Sequence, residues 1–408
     1  MTIATLAFAC AAASSAADAA AESSSPPPAQ TIQRMRAQIR DRIHGAWAGM
    51  LIGGIEGLAH EFKYIDEPRK DLPDYALLPN GARSDDDNDF EWTHLYFMDK
   101  EGTIKISYPR LTEIWKANMN QGIWCANLQA RKLMDQGVWP PQTSDPKLNS
   151  FASYNLAGQF TVEAYGMIAP GMPQTAADIG LHYARVSVSG EPLQAAQYWT
   201  TLLSLSAVSD RPMEELLSES LKAVDPASAQ AEAVRDAVAQ FHQHPQDWKA
   251  ARQHFHAKWF LRNPKTAPGK WNDNSTPLNG AMVVLALLYG QGEFYRTGQY
   301  AMALGYDADC NAATACAAVG ARVGFSAIQK LPGFRMPDRY VNRTRPQLPG
   351  ECKISDQVDV MMRICEKLIL ANGGKSIQVD GKDGYRIRQQ TPRMLQPLAP
   401  VAAGRTGR

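Results

Sequence analysis

The chain has 408 residues, 45% hydrophobic and 20% charged, which is the composition of an ordinary globular protein. Its formal net charge of +1 excludes a protein-wide field that would select nucleic acid or an anionic membrane, so we expect no stable nucleic-acid binding. No run of about twenty apolar residues follows the N-terminus, which argues against a membrane span.

Residues 1–30 are rich in Ala, Ser and Pro and begin with a short apolar run. This pattern is typical of a secretory signal followed by a Ser/Pro linker, although no Lys or Arg precedes the apolar run. We therefore expect export to the periplasm or the outside of the cell if the leader is a signal peptide, and a cytoplasmic location otherwise.

Residues 31–374 show a mostly helical pattern. Apolar residues recur at helical spacing in "SAQAEAVRDAVAQFHQH", and "GAMVVLALLYG" is apolar on every side, as in a buried helix. In "RPMEELLSESLKAV" we predict a helix that starts after Asp210, with Pro212 in its first turn. Strand signals are sparse, and "TIKISYP" is one weak candidate. In residues 375–408, two Asp-Gly pairs in "SIQVDGKDGYRIRQQ" predict a small β-hairpin, followed by a loose tail.

Two helical stretches carry a small residue at every fourth position. Positions four apart share one face of a helix, and a glycine inside a helix costs roughly 1 kcal/mol relative to alanine. We therefore predict that the two helices cross each other closely, or that each packs on another helix at short range. The small residues are Gly45, Gly49, Gly53 and Gly57 in the first stretch, and Ala312, Cys316, Gly320 and Gly324 in the second.

Acidic residues gather in two segments that lie far apart in the chain. The first segment is "ARSDDDNDFEW" and the second is "GYDADCN". A solvated loop with helix-capping aspartates is the alternative interpretation of the first segment. The apolar run "FEWTHLYFM" that overlaps its end places it at the edge of the core instead. Hard divalent cations take carboxylate and hydroxyl ligands, and neither segment completes a site alone, so we predict that the two meet around two ions.

A third segment, "GMLIGGIEGLAHEF", ends the first glycine-striped stretch and carries Glu61. Taken alone, Glu61 is an exposed carboxylate. In their order and spacing, the three segments resemble the ADP-ribosylglycohydrolase family. That family has a Gly-rich first helix leading to a catalytic glutamate, an early Thr-Asp-Asp turn, and a late Gly-x-Asp-x-Asp motif that opens a small-residue helix. The resemblance covers roughly residues 36–330.

The resemblance implies an all-α fold, a compact orthogonal bundle of many helices. It also implies hydrolysis of the bond between ADP-ribose and a partner, either an ADP-ribosylated protein or an ADP-ribosyl small molecule. Two Mg²⁺ or Mn²⁺ ions would hold the ribose, and Glu61 would be the catalytic carboxylate. The implied metal ligands are Ser84, Asp85, Asp86, Asp307 and Asp309, and the further candidates for a ligand or a supporting group are Asp87, Cys310 and Asn311.

The middle of the chain resembles one bacterial branch of the family. The residues that this likeness places near the substrate are Asn155, Gln159, Glu163 and Asn279. For each amide, helix capping or a satisfied buried hydrogen bond is the alternative interpretation.

The chain departs from the family pattern at four positions. Ser84 and Asp87 each replace a Thr, Gly54 replaces a common Asp, and Cys310 stands where many members have a metal-binding Thr. A neutral thiol is a poor magnesium ligand, so either Asn311 or water completes the second metal site, or that site is weak. Two alternatives follow: a catalytically silent protein that binds ADP-ribose or another nucleotide, and a hydrolase for a different ribosyl or glycosyl conjugate. A Glu61 that faces the metal pocket would favour an enzyme.

Overall fold

The computed structural model describes residues 30–263 and 269–398. The leader predicted over residues 1–30 lies outside the described residues, except for Gln30, and so do the last ten residues of the predicted tail. The helices are α1 (Arg36–Gly57), α2 (Asp86–Glu101), α3 (Tyr108–Asn118), α4 (Cys125–Asp135), α5 (Ala157–Phe160), α6 (Glu163–Met167), α7 (Pro173–Ala184), α8 (Glu191–Ser206), α9 (Met213–Ser220), α10 (Ala229–Gln243), α11 (Trp248–Trp259), α12 (Thr276–Gly290), α13 (Phe294–Leu304), α14 (Ala308–Val323), α15 (Phe325–Ile328) and α16 (Ile354–Ala371). The strands are β1 (Thr31–Met35), β2 (Ala82–Arg83), β3 (Tyr340–Val341), β4 (Glu351–Cys352), β5 (Lys375–Val379) and β6 (Lys382–Arg388).

The centre of the bundle consists of helices that are buried on every side. Helix α12 is buried along its whole length, as "GAMVVLALLYG" predicts, and α8 and α14 are buried over nearly all of theirs. A helix without a polar face is stable only when other elements surround it, whereas amphipathic helices such as α10 and α16 form the outer layer. The predicted all-α fold is confirmed. Within the described residues, no helix is both long and apolar enough to cross a lipid bilayer.

Helices α1 and α14 cross in direct backbone contact along their small-residue faces. A Cβ atom added at Gly53 would lie 2.1 Å from the Ala312 carbonyl oxygen, and one added at Gly49 would lie 2.4 Å from that of Cys316. These distances are shorter than any side chain tolerates, so the crossing needs glycine at both positions. The predicted close crossing is confirmed, and it holds the start of α14 against the end of α1.

Replacing Gly53 by alanine should therefore destabilise the protein by about 2 to 3 kcal/mol, because the added methyl group collides with backbone that cannot move aside. Chemical denaturation of the two proteins measures this loss. The matched control is Gly54→Ala, one position further along α1. There the nearest atom to an added Cβ is a side-chain oxygen of Asp87 at 3.3 Å. A loss at Gly53 no larger than the loss at Gly54 would contradict the close crossing.

The predicted C-terminal hairpin is present, and an N-terminal strand extends it. Strands β5 and β6 pair antiparallel around a turn at Asp380, and β1 pairs along the other edge of β6. The second Asp-Gly pair makes no turn: Gly384 lies inside β6, where an added Cβ would be 2.6 Å from the Arg34 carbonyl oxygen of β1. A second small sheet joins β2, β3 and β4, and β2 leads directly into the first acidic segment.

Two local predictions are wrong. The segment "TIKISYP" forms no strand, because side chains of α7 take hydrogen bonds that a neighbouring strand would need. The Tyr183 hydroxyl accepts from the Ile106 N–H at 3.3 Å, and His182 hydrogen-bonds the Ile106 carbonyl at 2.8 Å. The helix expected after Asp210 begins instead at Met213, with Pro212 as the residue before it.

The segment expected to be a loose tail is held to the bundle as far as residue 398. The Gln197 side-chain oxygen accepts from the backbone N–H groups of Leu395 and Gln396, both at 2.9 Å. A carboxylate oxygen of Asp225 accepts from the Leu398 N–H at 3.0 Å. Partners this far away in the chain leave no local sequence pattern, which is why composition alone suggested a free tail.

Candidate active site and metal centre

The two acidic segments lie at the N-termini of α2 and α14. Strand β2 fixes the first one: the Ser84 N–H donates to the Val341 carbonyl at 2.9 Å, and the Ser84 hydroxyl accepts from the Arg343 N–H at 2.7 Å. Asp85 then precedes the first turn of α2, and Asp307 precedes the first turn of α14. Carboxylates are favoured there because the N–H groups at a helix start carry partial positive charge.

The two segments meet in one place. The Cys310 thiol donates to the Asp87 carboxylate at 2.8 Å, across 223 positions of the chain. Three groups of side chains have ligand atoms within 4.8 Å of one another. Asp309 and Asp87 each belong to two of these groups, so the groups form one continuous acidic cluster. The members of the acidic cluster are Glu61, Asp85, Asp86, Asp87, Asp307, Asp309 and Cys310.

Protein groups leave the charge of the acidic cluster largely uncompensated. Among the described residues, its one ion pair joins Arg83 to Asp85 at 4.0 Å. Burial, followed by the charges of neighbouring carboxylates, raises the pKa of Asp86, Asp87 and Asp309 well above the ordinary range. Within the acidic cluster, four buried oxygens have no hydrogen-bond partner among the described residues: Oδ1 of Asp85, Asp307 and Asp309, and Oδ2 of Asp87. Burying an oxygen without a partner costs free energy unless a cation binds it. The oxygens of the acidic cluster therefore fit hard divalent ions.

Glu61 lies in the loop after α1, and that loop is attached to the second acidic segment. The Phe62 N–H donates to the Tyr306 carbonyl at 2.9 Å, and Gly305 approaches Tyr64 so closely that an added Cβ would lie 2.1 Å from its carbonyl oxygen. The half-buried Glu61 carboxyl thereby reaches the oxygens of Asp307 and Asp309. Burial, and then the charges of Asp307 and Asp85, raise its pKa to about 7.

Two comparisons with known proteins gave a match, one with a family model and one with a solved structure. The ADP-ribosylglycohydrolase family model matches residues 35–372, well over half of the chain. The chain belongs to the ADP-ribosylglycohydrolase family. A solved structure described as "ADP-ribosylglycohydrolase-related protein complex" superposes with a TM-score of 0.52 and 16% identity, covering 81% of this chain and 99% of that one. At that identity the likeness shows the fold alone. No curated protein matches the chain.

Family membership supports a glycohydrolase-type enzyme, in a family that is typically metal-dependent. In this chain, the amides of Asn279 and Asn311 hold the turn at Asp307 in place. The Asn279 side-chain oxygen accepts from the Asp307 N–H at 3.2 Å and from the Asn311 side-chain amide at 2.8 Å. The Asn311 oxygen accepts from Gln159 at 3.4 Å. Asn311 therefore has protein partners at both ends of its amide, and the acidic cluster forms without it.

The other predicted substrate contacts lie in the same buried layer. Gln159 donates to the Thr314 hydroxyl at 3.3 Å, and that hydroxyl donates to Glu163 at 2.6 Å. Asn155 donates to the side-chain oxygen of Asn274. The structure thus brings all four candidates close to the second acidic segment, but as buried groups bonded to protein partners.

Sequence reasoning missed two groups beside the acidic cluster. Asn274 donates to the Asp307 carboxylate at 3.2 Å, and the polar run "NDNS" just before α12 was the available signal. Cys125 has a positive φ of 43°, and burial, then Asp307, Asp86 and Asp273, raise its pKa to about 11. Those carboxylates act on Cys125 because it starts α4 near the acidic cluster. No pattern around "GIWCAN" marks this position.

Glu91 and Glu163 form a buried carboxyl pair, and neither is accessible to solvent. Burial raises the pKa of Glu163 to about 7, and burial followed by the charge of Glu163 raises that of Glu91 well above its ordinary range. Folded protein therefore binds a proton here that unfolded protein releases near pH 4.5. Stability from this proton is complete below about pH 4.5 and is lost as pH rises through about 7.

Glu163→Gln should flatten this dependence, because an amide keeps the Thr314 contact but does not titrate. Between pH 4.5 and 7, the free energy of unfolding should fall by up to about 3 kcal/mol less in the variant than in the wild type. Denaturant unfolding across that range measures the difference. The control is Glu113→Gln, on the surface of α3. Equal slopes for wild type and Glu163→Gln would contradict the protonated pair.

Proposed function

We propose that the protein hydrolyses the N- or O-glycosidic bond between ADP-ribose and an acceptor, which is a protein side chain or a small molecule. One observation carries the proposal: the half-buried Glu61 carboxyl lies within 4.8 Å of oxygens of Asp307 and Asp309, on the cluster that fits divalent cations. A general base with a pKa near the working pH is the group such a hydrolysis needs, and the pKa of Glu61 is raised to about 7.

Two Mg²⁺ or Mn²⁺ ions would be held by Asp85, Asp86, Asp307 and Asp309, with the Ser84 hydroxyl as a further ligand. When bound, they neutralise the acidic cluster and supply positive charge that binds ribose hydroxyls and polarises water. The remaining steps belong to protein groups. The amide layer of Asn279 and Asn311 keeps the Asp307 turn in place, so the carboxylates face the sugar in one arrangement.

Glu61 would accept a proton from the water that attacks C1″ of the ribose. The bond from C1″ to the acceptor nitrogen or oxygen breaks, its electron pair goes to the acceptor, and the acceptor leaves with the proton that Glu61 took from the water. Positive charge develops on the sugar ring as the bond lengthens, and the surrounding carboxylates stabilise it.

The position of Glu61 favours this hydrolase over a silent nucleotide-binding protein. A protein that only binds ADP-ribose gains nothing from a half-buried carboxyl with a raised pKa beside the ligand. This observation also agrees with the expectation that a Glu61 facing the pocket marks an enzyme.

A panel of conjugates tests the proposal. Full-length protein is incubated with ADP-ribosyl-arginine, ADP-ribosyl-serine peptide and ADP-ribose linked to a nucleobase, each with Mg²⁺, Mn²⁺ or chelator, and free ADP-ribose is measured. Release from at least one conjugate, dependent on the cation, is expected. Tight binding of ADP-ribose without release from any conjugate would establish the silent protein instead. Release only from ribosyl conjugates without ADP would establish a different hydrolase.

A further inference from the structure

Cys310 is a buried residue at the edge of the apolar core, and its thiol lies among carboxylates. Its thiol, Asp87 and Asp309 offer ligand atoms within 4.8 Å of one another, and all three residues are buried. The Asp87 Oδ2 and Asp309 Oδ1 atoms have no hydrogen-bond partner. The exposed fraction of Asp87 is 1% and that of Asp309 is 3%, so water does not solvate these oxygens freely.

A purely structural cysteine in the same helix provides a comparison. Cys316 lies against Gly298, where an added Cβ would be 3.2 Å from its sulfur, and burial alone raises its pKa to about 12. No carboxylate is among the groups that act on it. Cys310 is different because four carboxylates surround it: Asp307, Asp87, Asp309 and Asp86. A small packing residue needs no such surroundings.

Helix α1 leaves room for the Asp87 carboxylate beside the Cys310 sulfur. Gly54 faces the Asp87 side chain, and a Cβ added there would lie 3.3 Å from its Oδ2 atom. Any side chain at position 54 would press on this carboxylate. With glycine there, the Asp87 carboxylate remains beside the sulfur, in contact at 2.8 Å.

The spacing suits a small transition-metal ion. Zinc binds thiolate sulfur at about 2.3 Å and carboxylate oxygen at about 2.0 to 2.2 Å, so two of its ligand atoms are at most about 4.5 Å apart. The three ligand atoms lie within 4.8 Å of one another, so small rotations bring them into range. Zinc and cobalt bind thiolate sulfur well, whereas magnesium binds it poorly and prefers oxygen ligands.

We propose that Cys310 is itself a metal ligand, so that one position of the acidic cluster, formed by Asp87, Asp309 and Cys310, binds a thiolate-accepting transition metal such as zinc in preference to magnesium. Binding releases the thiol proton to solvent, and the sulfur contributes a lone pair. This inference rests on the cation site of the proposed function but does not require that the protein hydrolyse anything.

Cobalt tests the inference, because thiolate bound to Co²⁺ gives an intense near-ultraviolet charge-transfer band that oxygen ligands do not give. Full-length metal-free protein is titrated with Co²⁺ without oxygen. The wild type should develop the band, and Cys310→Ser should lose it. Cys125→Ser and Cys316→Ser, which change a thiol beside the cluster and a thiol elsewhere in α14, should keep it.

Affinity gives a second readout. In competition with a chromophoric chelator, Cys310→Ser should bind Zn²⁺ at least about tenfold more weakly, with its Mg²⁺ affinity unchanged. Cobalt that binds to the wild type without the band, or a band that persists in Cys310→Ser, would overturn the inference. A band in a protein that hydrolyses no conjugate would keep this inference and reject the proposed function. Hydrolysis with Mg²⁺ in a protein without the band would keep the proposed function and reject this inference.

Discussion

Glu61→Gln should reduce the release of ADP-ribose by at least about 100-fold, because glutamine fills the same space but cannot accept a proton from water. Cation binding should persist, since the aspartates of the cluster remain. Initial rates on the conjugate that the wild type cleaves best measure the loss, and calorimetry with Mn²⁺ measures the binding. The loss should appear in kcat more than in KM, because the group acts on the reacting bond and not on the bound substrate.

Glu67→Gln is the matched control for this variant. Glu67 lies in the same loop but is exposed, and its side chain bonds Gln253 on the surface. Its replacement should leave the rate unchanged. A Glu61→Gln enzyme that works within a few-fold of the wild type would remove Glu61 from the mechanism, whatever its distance from the aspartates.

Asp309→Asn should abolish both cation binding and turnover. Asp309 belongs to two of the three ligand groups, one with Glu61 and Asp307 and one with Asp87 and Cys310, so its loss affects both halves of the cluster. We expect Mn²⁺ affinity to fall at least about 100-fold, because the change removes a direct ligand and not merely a supporting contact. Calorimetric titration with Mn²⁺ and the release assay measure the two effects.

Asp356→Asn provides the control for Asp309→Asn. Asp356 also lies in the first turn of a helix, α16, but it is exposed and belongs to none of the three ligand groups. Its replacement should change neither affinity nor rate. Wild-type turnover by Asp309→Asn in the presence of chelator would rule out a metal-dependent reaction.

The helical bundle was largely predictable from the sequence because its signals are local. A fully apolar segment such as α12 has to be buried. The small residues at every fourth position of α1 and α14 predicted the crossing that the structure shows. What was missed depends on distant pairing: β1 joins the C-terminal hairpin across more than 340 positions, from Thr31 to Arg388. No local pattern encodes such a partner.

At the site, too, local signals could be predicted from the sequence, and contacts between distant residues could not. Runs of aspartate are conspicuous, so the two acidic segments were found directly. Glu91, Thr314 and Asn274 are single polar residues that a surface helix or loop would also carry. They acquire a role only because the fold places Glu91 and Thr314 beside Glu163, and Asn274 beside Asp307. The amides predicted to contact the substrate lie near the second acidic segment, and their role toward a substrate stays a prediction. Sequence could not show that their partners are protein groups.

We propose that acidic segments far apart in the chain form one divalent-cation site next to Glu61. Anomalous diffraction from crystals of the full-length protein grown with Mn²⁺ tests it most directly. We predict strong anomalous density within ligand distance of Asp309 and of at least one aspartate of the Asp85–Asp87 segment, absent from Asp309→Asn crystals. Manganese bound elsewhere only, or no density at the cluster under conditions where the enzyme turns over, would contradict the account.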